Sequence, residues 1–429
     1  MNRIILIGNG FDKAHGMPTS YVDFLNNYYK GVTENTSNAY QSFKNEDLEV
    51  KANIPTSFRD VIDLQSVDSY QEFVRRIEIL NDSKLITRNG YLNIAIDFSN
   101  NRFLGHISEE IGLKQWVDVE NEYYKQLTSF NKPRRRDYLR LSIETLNNNL
   151  ESIRKSLEKY LTKIEQDHST DVAIPQIRKN IFSRFQLRDM SLPFIDVFVN
   201  DVAIKMASLR EKEIFELAYD EYIKVYDNFG FNKKHIVDFS KLDLPKHILK
   251  HEIEKGGIPD YFLAPDNLLF LSFNYTHTEE KYIKPSSIVE TIHIHGEINK
   301  ENNSMIFGYG DESDDDYHQL EKLNDNKYLQ NIKSIRYSDT DNYRKLISFL
   351  EIAPYQIFIM GHSCGTSDKT LLKAMFEHEN CASIKPFFHK KSDTENNYSD
   401  IVSNISRNFK DKVLMRDRVV NKTFCEPLY

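Results

Sequence analysis

Residues 1–18 read MNRIILIGNGFDKAHGMP: an apolar run, Ile4 to Ile7, stops at Gly8-Asn9-Gly10 and is followed by Asp12, Gly16 and Pro18. A buried strand that runs into a glycine turn and then a helix brings backbone close to a phosphate. The dinucleotide fingerprint of dehydrogenases wants a third glycine three residues after the second, and that place holds Lys13. The segment therefore reads as a nucleotide loop of another kind.

The rest of the composition limits what such a loop can serve. With 429 residues there is room for two or three domains, or for one large domain with an insertion. The net charge of −8 lacks the basic face of a general nucleic-acid binder. Arg134-Arg135-Arg136, after Lys132-Pro133, is the main local exception and reads as a solvated helix start. Cys364, Cys381 and Cys425 form no C-x-x-C pair, which excludes a four-cysteine zinc site within the chain and argues against a disulfide framework. No apolar run approaches the roughly 18 residues of a membrane span. Ile4–Ile7 is too short for a signal-peptide core, so a cytoplasmic location without membrane contact is expected.

Working outward from the opening turn, Thr19 to Leu25 looks helical, with Phe24, Leu25 and Tyr28 on one face. Ile143, Leu146, Leu150, Ile153, Leu157, Leu161 and Ile164 recur at steps of three and four and predict a long amphipathic helix from near Arg134 to near Glu165. Ile204, Ala207, Ile214, Leu217, Ala218 and Val225 predict a second over 202–226. Strands return late: Leu268–Phe273, Ile288–His295, Met305–Phe307, Gln356–Met360 and Ile384–His389, with a helix near Lys369–His378 between the last two. Strands alternating with helices and ending in Gly, Asn or His predict a Rossmann-like parallel sheet with a site at the strands' carboxyl ends. Residues 1–40 and 265–429 would form that α/β domain, and residues 41–264 a mainly helical insertion.

If the sheet is parallel, four strand ends meet in one crevice: Gly8-Asn9-Gly10, Ser272-Phe273-Asn274-Tyr275-Thr276, His293-Ile294-His295-Gly296 and Gly361-His362-Ser363. The glycines permit close approach, and the amides that follow would face a diphosphate. Asn274, placed after a central strand, either holds a neighbouring loop or orients a ribose or a water. His295 has the residue type and strand-end position of a general base, and His293 competes for the role. Gly361-His362-Ser363-Cys364-Gly365 matches the letters of a nucleophile elbow, for which Asp368 and His389 could be cast as acid and base; Asp368 stands too close for a good fit. The acidic run Asp311–Asp316 reads as a solvated loop. Trp116, Asp118 and Glu120 read as a packed tryptophan with a capping acid, or as a site that sends Glu120 into the cleft.

The order of these motifs resembles the sirtuin-like, NAD-consuming fold. Gly8, Gly10, Gly16, Met17 and Pro18 fall at the places of Gly-Ala-Gly-x-Ser-x-x-x-Gly-Ile-Pro, with Asp12 where the serine would stand. Phe273-Asn274-Tyr275-Thr276 matches a Thr-Asn-Tyr-Asp motif, His295-Gly296 a strand ending His-Gly, and Gly361-His362-Ser363 with Asp368 a Gly-x-Ser loop followed by Asp. More closely, GNGFDKAHGMPTSYVDF, the segment 116–120, FNYTHTEE, HIHGEI with IFGYGD, and GHSCGTSDK resemble the bacterial abortive-infection AbiH family.

That resemblance implies a sirtuin-like domain that cleaves the bond between nicotinamide and ribose in NAD+, with Asn274 and His295 as the catalytic pair. Gly8, Asn9, Gly10, Phe11, Asp12, Pro18, Thr276, Gly361, Ser363 and Asp368 would bind the nucleotide. Thr276 stands where the family acid would be, and Asp12 is placed to substitute from the first loop. NAD+ is then substrate; no cofactor and no metal are expected. The activity would deplete NAD+ during phage infection, with a phage-derived activator and self-association as the partners to look for. A non-catalytic sensor of NAD+ or ADP-ribose, or a nucleic-acid-acting effector anchored by Arg134–Arg136, are the alternatives.

Overall fold

The computed structural model describes residues 1–39, 43–53, 67, 69–82, 86–87, 90–91, 93–114, 118–130, 139, 141–210, 244–283, 288–312, 314–392 and 395–429. They form two compact units: Met1–Met17, Asp167–Met305 and Ser334–Tyr429 in the first, Pro18–Gln166 and Ile306–Lys333 in the second. The boundaries expected near residues 40 and 265 do not coincide with these. Residues 167–264, expected in the insertion, group with the first unit.

The first unit is built on β1 (Asn2–Ile7), β2 (Leu268–Ser272), β3 (Val289–His293), β4 (Tyr355–Met360) and β5 (Cys381–Phe387). All pairings are parallel and the spatial order is β5-β4-β1-β2-β3. Every residue of β1, β2, β4 and β5 is buried, as in parallel strands covered on both faces, and the polar members Arg3, Gln356, Ser383 and Lys385 are hydrogen-bonded there. Strand β3 is half-open at its start, which suits an edge. Chain order reverses on the two sides of β1. Ligand crevices of open α/β sheets form at such a switch point, outside the carboxyl ends of the strands.

The helices that matter here are α1 (Asn9–Ala14), α2 (Leu192–Arg210), α3 (Asn342–Ile352) and α4 (Lys369–Phe376). Helix α2 buries Phe198, Val199, Val202 and Met206 in a cluster with Met1, Phe185, Tyr261, Phe262 and Ala382. That packing draws residues 167–264 into this unit. The expected second seam is corrected accordingly: the helix starts ten residues earlier and Ile204 is exposed. The rest of that seam, beyond residue 210, lies outside the described residues.

One polar side chain threads this core. Arg3, in the centre of the sheet, is fully buried. Its guanidinium lies 4.7 Å from the ring centre of Phe185 and 4.2 Å from that of Phe358. It donates to the carbonyls of Ile181 and Ser183 and to Gln356. Burial pulls its pKa down to about 9 although Asp189 favours the charge.

The second unit is mainly helical and carries a small antiparallel sheet, Phe43–Lys44, Glu49–Asn53 and Asn93–Asp97. The predicted long helix is present as Ile143–Asp167, with Leu146, Leu150, Ile153, Leu157 and Leu161 buried. It begins after Ser142, whose hydroxyl accepts the Thr145 amide, rather than near Arg134. The arginine triplet itself lies outside the described residues. Met305–Phe307, predicted as a strand, is buried but irregular; an apolar run without a neighbouring strand to pair with makes no ladder.

Candidate functional site

The site starts where β1 ends. Gly8 caps α1 in extended geometry. A Cβ on Gly8 would stand 2.5 Å from the Cα of His362, and one on Gly10 would stand 2.8 Å from the Gly361 oxygen. Gly361 itself has φ 81°, and a Cβ there would lie 2.0 Å from the Phe11 nitrogen. The glycines of both loops thus let the ends of β1 and β4 interlock. That contact occupies two amides, as Gly8 N–H donates to Met360 O and Gly10 N–H to Gly361 O at 2.8 Å, while Phe11 N–H closes the turn on Gly8 O. The expectation that these amides face a diphosphate is corrected to that extent, because in this conformation they are already hydrogen-bonded. The Phe11 side chain is core, set edge-on to Tyr282 with centroids 5.6 Å apart.

Strand β2 delivers the next residues. Asn274 donates its side-chain N–H to Gly8 O at 3.2 Å, and its own amide is held by the Ser272 hydroxyl. Two positions on, Thr276 Oγ1 donates to Asp12 Oδ2 at 2.6 Å. Asp12 is buried, and its Oδ1 finds no partner among the described residues. Burial pushes its pKa up to about 6; the Thr276 hydrogen bond and the polar groups of Thr278 and Asn274 work against that rise, and the Glu279 charge adds to it. A carboxylate from the first turn therefore lies against the residue that stands where the motif's acid would be.

His295 follows β3 at a turn that Gly296 completes with φ 80°. Its Nε2 lies 3.2 Å from Asp368 Oδ1 and 3.2 Å from the Tyr337 hydroxyl. Asp368, just before α4, also faces His362 Nε2 at 3.6 Å. The Phe273 ring packs on both imidazoles, with centroids 5.0 Å from His295 and 4.3 Å from His362. The carboxylate and the phenol fix the orientation of the His295 ring, as the support of a base would. Ser363 is exposed, and Asp368 serves the two histidines instead of a nucleophile; His389 lies at a tilt against Tyr429, so no triad forms around Ser363.

His293 does different work. Its Nδ1–H donates to Asn274 O at 3.2 Å and its Nε2 meets Glu279 Oε1 at 2.8 Å. Both contacts favour the charged ring. Burial opposes that charge, but the Glu279 hydrogen bond and charge raise the pKa above the ordinary value. Beside it, His277 Nε2 contacts Glu297 Oε2 at 2.8 Å. These four residues line a cleft of about 750 Å³ at the β3 edge, which His295 and Asn274 do not line.

The remaining candidates sit in the second unit. The Pro18 carbonyl accepts the Tyr160 hydroxyl. Asp118 caps the helix Val119–Ser129 by accepting the Asn121 amide. Glu120 pairs with buried Lys333 at 2.8 Å and accepts the Gly308 amide, which makes it a structural acid. Trp116 lies outside the described residues. In the acidic run, Asp314 caps the helix Asp315–Lys322.

Gly8, Gly10, Asp12, Asn274, Thr276, His295, Gly361 and Asp368 are thus brought together in one unit, while Pro18 belongs to the other and Phe11 and Ser363 turn away. Reading the sequence missed Tyr337, His277, Glu279 and Glu297. The alternations His277-x-Glu279 and His293-x-His295-x-Glu297 carried the signal for three of them.

A parallel sheet whose switch point gathers an asparagine, a buried aspartate and an aspartate-oriented histidine defines an α/β protein with a polar site at its strand ends. A family model described as bacteriophage abortive infection AbiH matches residues 4–390. The chain belongs to the AbiH family, and with it to the proteins of phage abortive-infection defence. Comparison with curated proteins and with solved structures gives no match. No helix among the described residues is long and apolar enough to cross a membrane.

Proposed function

We propose that the chain acts in phage defence as an NAD+ glycohydrolase, with a sirtuin-like site at the switch point of its sheet. Water would replace nicotinamide at the ribose anomeric carbon, giving nicotinamide, ADP-ribose and a proton. The bond breaks with oxocarbenium character, as in glycoside hydrolysis. The pairing of His295 with Asp368, next to an asparagine tied to the Gly8 turn, is the observation that carries the reading. His295 takes the proton from the water or a ribose hydroxyl, Asn274 orients the ribose, and Asp12 supplies the carboxylate that Thr276 lacks.

The occupied amides of Gly8, Gly10 and Phe11 fit a resting state in which the first turn must part from the Gly361 loop before a diphosphate can enter. They equally favour a second reading, a sensor that binds NAD+ or ADP-ribose without turning it over. Infected cells or phage lysate, incubated with the protein and NAD+ and analysed for nicotinamide and ADP-ribose, separate the two. The hydrolase reading expects product from the parent chain and none from His295→Ala or Asn274→Ala. Phage protection that persists without NAD+ loss, or NAD+ loss unchanged in both variants, overturns it. Calorimetric binding of ADP-ribose with no turnover establishes the sensor.

A further inference from the structure

We propose that His277, His293 and Glu297 form a binding site for one first-row divalent cation, with Zn2+ as the reference ion, in the wall of the cleft at the β3 edge. One ligand atom from each lies within 4.8 Å of the other two. Bonds of about 2.0–2.2 Å to a tetrahedral ion put ligand atoms roughly 3.5 Å apart, so small side-chain rotations close the set. Two imidazole nitrogens with one carboxylate suit Zn2+ and its neighbours better than Mg2+ or Ca2+, which prefer an all-oxygen shell.

The supporting contacts are those a metal centre needs. His293 Nδ1 is directed at the Asn274 carbonyl, which turns Nε2 toward the site. Glu297 Oε1 is held by Asn303 Nδ2 at 2.8 Å, which leaves Oε2 facing His277. An independent observation comes from Glu279. It is fully buried, lines the same cleft and contacts His293, and its Oε2 has no partner among the described residues. Leaving a buried carboxylate oxygen unsatisfied is costly. A dication next to it offsets the combined charge of Glu279 and Glu297. Three protein ligands and an open cleft leave a fourth coordination position for water or for an anionic ligand group, and Lys300 and Lys345 also line the cleft. Because one imidazole would hold both the ion and the Asn274 carbonyl, the loaded site fixes the loop from which Asn274 reaches Gly8. The ion does not depend on the hydrolase reading, and metal binding is measured without any turnover.

The test uses the full chain, stripped with chelator and titrated with Co2+. One equivalent should bind with the visible absorption of a four- or five-coordinate Co2+ centre, be displaced by Zn2+, and resist excess Mg2+. His277→Ala and Glu297→Gln should each weaken Co2+ binding by at least about tenfold, and Asn303→Ala by about tenfold through the lost orientation of Glu297. Metal-free circular dichroism checks that each variant folds. The parent chain decides by itself should a variant not fold: absence of stoichiometric Co2+ or Zn2+ binding overturns the proposal. So does binding that is unchanged in folded His277→Ala and Glu297→Gln.

Discussion

Asp12 is a carboxylate whose surroundings favour its proton. With a folded-state pKa of about 6 against an ordinary 3.8, the folded protein holds that proton more tightly than the unfolded chain. Stability therefore falls as pH rises from about 4 to about 6, and the full cost, about 3 kcal/mol, is in place at neutral pH. Asp12→Asn should gain about that much on the parent chain between pH 4 and pH 7, read from denaturant unfolding at each pH; parallel profiles would contradict it. At the other end of the site, Asp368 orients His295. In activated protein, His295→Ala should cost about 10²–10⁴-fold in the rate of NAD+ loss and Asp368→Asn a smaller factor. Asn274 and His295 were legible in the sequence because each stands just beyond an apolar run. The partnerships of Asp12 with Thr276 and of His295 with Asp368 and Tyr337 were not, since no local pattern records which loops meet in space.

At the level of elements, the turns after β1 and β4 hold each other through contacts that only glycine allows. Gly361→Ala combines a left-handed φ with a Cβ in the Phe11 backbone. Gly16 shares the φ, at 76°, but a Cβ there meets nothing within 4 Å. Gly16→Ala should therefore cost about 1–2 kcal/mol, the left-handed penalty alone. Gly361→Ala should cost clearly more, or prevent folding, as urea unfolding of the pair would show; equal costs would mean that the two loops do not interlock. The central strands were readable from their apolar stretches, Ile4–Ile7, Leu268–Leu271 and Ile357–Met360, while the edge strand Val289–His293 was readable from its alternation. The start of the long helix was misplaced because charged residues before Ser142 fit a solvated helix face as well as a loop. The second seam failed for a related reason: α2 buries Phe198, Val199, Val202 and Met206, a stripe offset from the one that periodicity favoured.

On the scale of the whole chain, the parallel sheet and the late return of its partners could be predicted from where apolar runs stop. The boundaries of the two units could not, since they follow from which helix packs on Met1 and Ala382 and which does not. The sheet's central strand is the first to leave the ribosome, yet its partners are β2, from Leu268, and β4, from Tyr355. At ~5–20 residues per second, β1 waits roughly 20–70 seconds for its second neighbour. Until β2 emerges, the apolar stretch Ile4–Ile7 has no ladder to join, and such segments invite aggregation. Nascent chains stalled before residue 355 should accordingly bind chaperones through the β1 segment and be cut readily by protease, whereas release of the finished chain should bring protection. Protection of β1 in the shorter chains would disprove this order of events. A chain assembled in this way has no complete strand-end site until β4 and the Gly361 turn have emerged.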